Sequence, residues 1–232
     1  LGTQPAPTGY FKHIREICNT YGVLFIADEV MCGMGRTGSL FALEQEGIAA
    51  DITTLAKGLG AGYQPIAALM AAENVIRIIK NGSGTLWNGH TYMSHAIATA
   101  GALAVQQVIE EENLLTDVRT RGEQLRKGLQ TRLSQNPHVG NIRGRGLFWT
   151  VELVQDRTTK QPFNAKLGLA PKVREIALDL GLMCYPSQGC ADGTQGDHVL
   201  LAPAYTSTRK EIETICDLIT QAIETALTGL EA

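Results

Sequence analysis

Apolar positions recur along this chain at two spacings, and the change from one to the other marks its elements. Phe11, Ile14, Ile17 and Tyr21 fall three or four residues apart, which predicts a helix from Gly9 to about Thr20 with Thr8 as its cap. The next apolar stretch, Val23-Leu-Phe-Ile-Ala27, is continuous, and a continuous run predicts a strand covered on both faces, as in parallel sheets. Two carboxylates, Asp28 and Glu29, close it. Leu40 to Gly47 reads as helical. A short strand from Ile52 to Ala56 then runs into Lys57 and a loop with glycines at 58, 60 and 62. Ile66 to Ala71 predicts another strand, and Glu73–Lys80 a helix. A loop over Gly82 to Gly89 follows, then an Ala-rich helix from Ser94 to about Glu112. Its small residues Ala96, Ala100 and Ala104 predict close packing on the sheet. Helix, buried strand and helix in succession is the rhythm of a βαβ sheet.

Beyond Asn113 the texture changes. Thr116–Ser134 predicts a charged amphipathic helix with Val118, Leu125, Leu129 and Leu133 as its apolar stripe, broken at Asn136-Pro137. A strand over Gly146–Val154, a polar loop over 155–167 and a helix at about 169–180 come next. An apolar stretch, Leu182 to Tyr185, precedes a loop rich in Gly and Asp, and Val199–Ala202 reads as a strand. The last helix, Arg209–Leu227, carries Ile212, Ile215, Ile219 and Ile223 on one face. The pattern implies two domains, with part of an α/β domain over residues 1–115 and a linking helix and small α+β domain over 116–232.

Composition narrows the function classes. With 44% hydrophobic and 19% charged residues, a substantial core is available and disorder is not expected. A net charge of −3 gives no support for a nucleic-acid or membrane surface, and no apolar run is long enough to span a bilayer. Five cysteines without a CxxC pair point to free thiols in a reducing compartment, cytoplasmic or organellar. His90 and His95 lack metal-ligand spacing, so no metal is expected. No signal peptide is expected from these residues, and a first residue of Leu rather than Met leaves anything upstream unread.

Candidate chemistry concentrates at two strand ends. A lysine ending a buried strand is expected to point inward; burial disfavours its charged form and makes the amine a nucleophile able to form a Schiff base. The bland alternative is a lysine that snorkels to the surface. The carboxylates after Ala27 sit where open α/β sheets bind ligands, although a helix cap or an ion pair with Arg36 would use them equally well. One buried amine beside one buried carboxylate suits pyridoxal 5'-phosphate, whose aldehyde takes a lysine and whose ring nitrogen takes an acid. The neighbouring glycines would let backbone approach a bulky group.

Three segments, Asp28-Glu-Val-Met-Cys-Gly-Met-Gly-Arg-Thr-Gly38, Thr54-Leu-Ala-Lys-Gly-Leu59 and Gly89-His-Thr-Tyr-Met-Ser-His95, resemble the successive signatures of class III aminotransferases. These are pyridoxal-phosphate enzymes of fold type I. The resemblance implies a large domain with a mostly parallel sheet and flanking helices, followed by the smaller domain. It implies Lys57 as the Schiff-base lysine, Asp28 as the acid holding the ring nitrogen protonated, and Val30 as an apolar residue on the ring face. Thr91 becomes a hydroxyl reaching the cofactor phosphate of the neighbouring subunit in a homodimer. The implied reaction is ping-pong transamination from an amine or amino acid donor to a 2-oxo acid. An aminomutase, a decarboxylase and an inactive protein of the same fold are the alternatives.

Departures from the family pattern accompany the match. Met31 stands where many members carry a glutamine, and the stretch Asp197–Tyr205 lacks the arginine with which some members hold a substrate carboxylate. Arg143 and Arg145 read as structural or domain-interface residues, with substrate binding as the alternative. The glycine-containing phosphate turn and the ring-stacking aromatic of the family are not found before Asp28. The chain is therefore expected to correspond to the C-terminal half of such an enzyme, with Leu1-Gly2 as the tail of the family's Glu-Pro segment and with reduced or no activity alone.

Overall fold

A computed structural model describes residues 2–231, so Leu1 lies outside the described part of the expected leading loop. The chain divides into two units, residues 6–115, and residues 2–5 together with 116–231.

In the first unit, helix α1 (Tyr10–Tyr21) begins at Gly9, which adopts a left-handed conformation (φ 84°) and offers no side chain as a cap. The expected capping by Thr8 is not made. Ile14 and Cys18 of α1 pack on Phe25, Ala27 and Leu43, while Phe11, Ile17 and Tyr21 stay exposed. Strand β1 (Ile26–Asp28) pairs parallel to β2 (Ile52–Leu55), and β3 (Ala68–Ala71) pairs antiparallel to β2. The order β1-β2-β3 thus holds one parallel and one antiparallel pairing, more mixed than expected. The apolar run before Asp28 is not covered on both faces. Phe25 and Ala27 are buried, but Val23, Leu24 and Ile26 are exposed. Alternate residues of a strand face opposite sides, and this unit's own residues cover only one of them.

Between β1 and β2 the expected helix is a short 3-10 turn, Ala42–Glu46. Helices α2 (Glu73–Asn81) and α3 (Ala96–Glu111) follow β3. On α3 the buried residues are Ala98, Ala102 and Ile109, not Ala96, Ala100 and Ala104. An Ala-rich helix has small residues on every side, so its pattern does not choose the packed one.

The second unit is a four-stranded antiparallel sheet with helices on one face. Its elements are α4 (Leu114–Leu133), β4 (Val139–Arg145), β5 (Phe148–Leu153), α5 (Leu169–Asp179), β6 (Tyr185–Gln188), β7 (Asp197–Leu201) and α6 (Arg209–Glu231), in sheet order β4-β5-β7-β6. The predicted stripes fill its core: Val118, Leu125, Leu129 and Leu133 meet Ile212, Ile219 and Ile223, all fully buried. Each such side chain contributes about 1.5–3 kcal/mol of burial. The strand expected over Gly146–Val154 is β5, and it pairs with β4, which the pattern did not predict, through a turn at Gly146. Helix α4 approaches that turn so closely that a Cβ on Gly122 would lie 2.2 Å from the Gly146 carbonyl oxygen. Among the described residues, no helix is long and apolar enough to cross a membrane.

Asp51 ties the first unit together. Its Oδ2 accepts the Phe25 N–H (2.8 Å) and a hydrogen bond from the Arg15 guanidinium (2.6 Å). The Phe25 N–H first, and Arg15 next, hold the Asp51 carboxyl below its ordinary range. A lowered folded-state value means that the stabilisation is complete above the unfolded carboxylate range and is lost as pH falls through the folded value. Asp51→Asn should therefore cost about 1–2 kcal/mol at neutral pH, after allowance for screening by water. The gap from the parent chain should shrink below about pH 4. Urea unfolding of both proteins at neutral and acid pH measures it; a gap that stays constant down to pH about 2.5 contradicts the assignment.

Candidate active site

The parallel pairing of β1 and β2 sets the geometry. Asp28 ends β1 opposite Thr54, β2 ends at Leu55, and Lys57 follows two residues later. Both side chains therefore stand at the carboxyl ends of adjoining parallel strands, the end at which open α/β sheets take ligands. Beyond Leu55 the chain leaves the sheet and enters a 3-10 turn, Lys57–Leu59, in which Lys57 has φ 38°. A lysine in the left-handed region is a backbone outlier of the kind that clusters at functional positions. The turn is supported from below, where Gln106 of α3 donates its side-chain N–H to the Leu59 carbonyl (3.1 Å).

Burial departs from the sequence reading. Lys57 and Asp28 are both exposed, not enclosed. The turn after Leu55 carries Lys57 off the covered side of the sheet, and Asp28 shares the outward face of β1 with Ile26. Among the described residues neither forms a salt bridge. The Asp28 Oδ1 accepts the Val30 N–H at 3.0 Å, which orients the carboxylate, and Val30 itself is half-buried.

The two carboxylates after Ala27 have separate tasks. Glu29 is 2% exposed and turned inward, where its oxygens accept the N–H groups of Ala42 (2.8 Å) and Leu43 (3.0 Å) at the head of the 3-10 turn. It is a cap, and Asp28 is the carboxylate left exposed at the strand end. Burial, with the Glu29 carboxylate alongside, pushes the Cys32 thiol up to about 12, so this cysteine is no nucleophile at neutral pH.

The glycines near Lys57 serve the chain's own packing. A Cβ on Gly58 would lie 3.0 Å from the Met34 Cβ, and one on Gly60 would lie 2.7 Å from the Ile66 Cγ2. Thr91 lies in a turn between α2 and α3, exposed, with no hydrogen bond to Asp28, Val30 or Lys57 among the described residues. Leu86, Trp87, Tyr92, Met93 and Ile97 around it are also exposed, Trp87 by 89%. Among the described residues no group of His, Cys, Asp and Glu could hold a metal ion.

An accessible amine and an accessible, oriented carboxylate at the ends of adjoining parallel strands are a donor set that fits the reactive end of pyridoxal 5'-phosphate. Comparison with known proteins agrees. Residues 1–223 match the family model of aminotransferase class-III, whose members use that cofactor. An aminotransferase of Gibberella zeae is 49% identical over 228 residues, covering 98% of this chain and 45% of the relative. An uncharacterized aminotransferase of Schizosaccharomyces pombe is 40% identical, covering 97% of this chain and 49% of its own length. The crystal structure of a transaminase from the marine bacterium Virgibacillus superposes with a TM-score of 0.93 at 36% identity, over 99% of this chain and 51% of that one. The chain thus spans about half the length of the curated relatives it matches, and its fold is that of part of a fold-type-I enzyme. Matched from residue 1 to 223 and aligned with its relatives over nearly its whole length, the chain belongs to the class III aminotransferases.

Proposed function

We propose that the protein is a pyridoxal-phosphate-dependent transaminase, which moves an amino group from an amine or amino acid to a 2-oxo acid in two successive half-reactions. The observation that carries this reading is the placement of Lys57 and Asp28 at the ends of adjoining parallel strands, accessible and without ion-pair partners among the described residues. When bound, the cofactor supplies an aldehyde for the amino group and a ring that delocalises the electrons left on the substrate carbon. The Lys57 amine binds the cofactor and later takes and returns the proton of that carbon. The Asp28 carboxylate, oriented by the Val30 N–H, holds the proton on the ring nitrogen. Val30 packs on the ring face.

We further propose a homodimer in which the Thr91 hydroxyl donates to the cofactor phosphate of the partner subunit. Support comes from the exposed large apolar side chains on either side of Thr91 in sequence, since an unusual concentration of exposed apolar residues marks association sites. In a two-fold assembly such sharing is reciprocal.

Three outcomes are expected of the full-length protein. Borohydride reduction should fix the cofactor to Lys57, and Lys57→Ala should abolish both the attachment and the visible absorbance. Attachment to Lys80 or another lysine refutes the role. Asp28→Asn should retain cofactor by absorbance yet slow substrate proton abstraction by roughly a thousandfold, because a neutral amide does not stabilise the ring charge. Near-normal single-turnover rates for that variant contradict it. Finally, mixing Lys57→Ala and Thr91→Ala proteins under subunit exchange should recover up to about a quarter of wild-type activity, since half the dimers are mixed and each holds one intact site. Proven exchange without recovery assigns Thr91 to its own chain.

A further inference from the structure

Far from Lys57 in sequence, residues 2 and 3 are held against the second unit by a cluster that the transaminase reading does not use. The Arg143 Nε donates to the Gly2 carbonyl oxygen at 2.8 Å, while its Nη1 pairs with Glu152. The Thr150 hydroxyl donates to the Thr3 Oγ1 at 2.7 Å. Arg143 is only 10% exposed at its side chain. His198, 6% exposed, faces the same cluster from β7, and its Nδ1 has no partner among the described residues. The strands place these groups together, because Arg143 is registered with Thr150, and Glu152 with His198.

Gly2 fits against this cluster without room for a side chain. A Cβ there would lie 2.7 Å from the Arg143 Nη2, 3.1 Å from the Cys190 Cβ and 3.4 Å from the His198 Cγ. Both residues are left-handed, with φ 57° at Gly2 and 53° at Thr3. For a β-branched threonine that conformation is strained, and such strain persists only where surrounding contacts over-determine it. Here the contacts are the arginine fork and the hydroxyl pair. A lysine in place of Arg143 has no planar fork to serve a carboxylate and a carbonyl at once.

We propose that residues 2–3 form a strap latched onto the sheet by Arg143 and Thr150, and that opening this latch widens access to the half-buried Cys190, against whose Cβ Gly2 lies. The inference is independent of the transaminase reading. With the strap closed, burial, with Glu152 nearby, pushes the Cys190 thiol up from its ordinary value and keeps it protonated. Opening removes the cover on one side and raises both access and thiolate share. Local openings of this kind lie at the low-energy end of a protein's fluctuations and are set by few contacts.

The test is iodoacetamide labelling of the full-length protein, with modified peptides quantified by mass spectrometry. Cys216, fully buried between α4 and α6, reports global unfolding in the same sample. Arg143→Gln removes the latch, and Gly2→Ala forces the strap off while leaving the Arg143–Glu152 pair. Both should label Cys190 about tenfold or more faster than the parent, with Cys216 unchanged. An unchanged Cys190 rate overturns the latch, and so does acceleration of Cys190 and Cys216 together, which makes these residues props of the whole core. If Arg143→Gln does not fold, Gly2→Ala decides alone by the same readout.

Discussion

The carboxylate of Asp51 is the constraint on which the candidate site depends. It stands immediately before β2, receives the Phe25 N–H at the head of β1, and receives Arg15 from α1. Its own backbone N–H bonds the Phe25 carbonyl (2.9 Å), and its carbonyl accepts from Ala72 beyond β3 (2.8 Å). Four segments therefore meet at one residue. The junction sets the register Ile26 with Ile52, and the strands then deliver Asp28 and Lys57 to the same end. A slip of one residue would turn Asp28 to the other face, where Ala27 now packs. Positioning of the two side chains is thus decided at the opposite end of their strands, about three residues away from either strand's carboxyl end.

How much of the fold the chain's pattern reveals depends on how much of each element is buried by its own unit. The stripes of α4 and α6 were fully legible, because two amphipathic helices closing on one sheet leave their apolar positions a single place to go. Strand β4 was not. Its sequence, Val139-Gly-Asn-Ile-Arg-Gly-Arg145, holds two arginines and two glycines, and Arg143 there faces a polar cluster rather than a core. The packed side of α3 was also hidden, since alanine is equally small on every face. The hairpin turn at Gly146 shows only in three dimensions, where Gly122 lets α4 come against it.

For the site, the location was legible and the environment was not. An apolar run ending in carboxylates, and a short strand ending in Lys57, mark two strand termini, and parallel pairing brings like termini together. Periodicity says which residues share a face but not what covers it, so the expected enclosure of Lys57 and Asp28 did not follow. The division of labour between Asp28 and Glu29 was equally invisible: two adjacent carboxylates on a strand point to opposite sides, and only the position of the Ala42–Glu46 turn decides which one becomes a cap. The Gly2–Arg143 contact joins residues 141 positions apart and leaves no local signal at all.

The two units differ in a way that bears on the proposed chemistry. The second closes a continuous core of fully buried side chains around α4, α6 and the sheet. The first, which carries Lys57 and Asp28, has a small buried cluster and leaves Val23, Leu24, Ile26, Leu69 and Met70 open. A carboxylate stabilises a neighbouring charge weakly in water and strongly in a dry site, and proton transfer by an amine benefits in the same way. Geometry alone therefore supplies only part of what Asp28 and Lys57 require. Under the proposed function, the rest comes from a surface laid over the outward face of β1, and the apolar residues beside Asp28 are suited to receive one. The same logic applies to Thr91 under the proposed homodimer, in which a second subunit would cover its exposed aromatic neighbours. In that reading the chain orients Lys57 and Asp28, and the exclusion of water depends on what covers them.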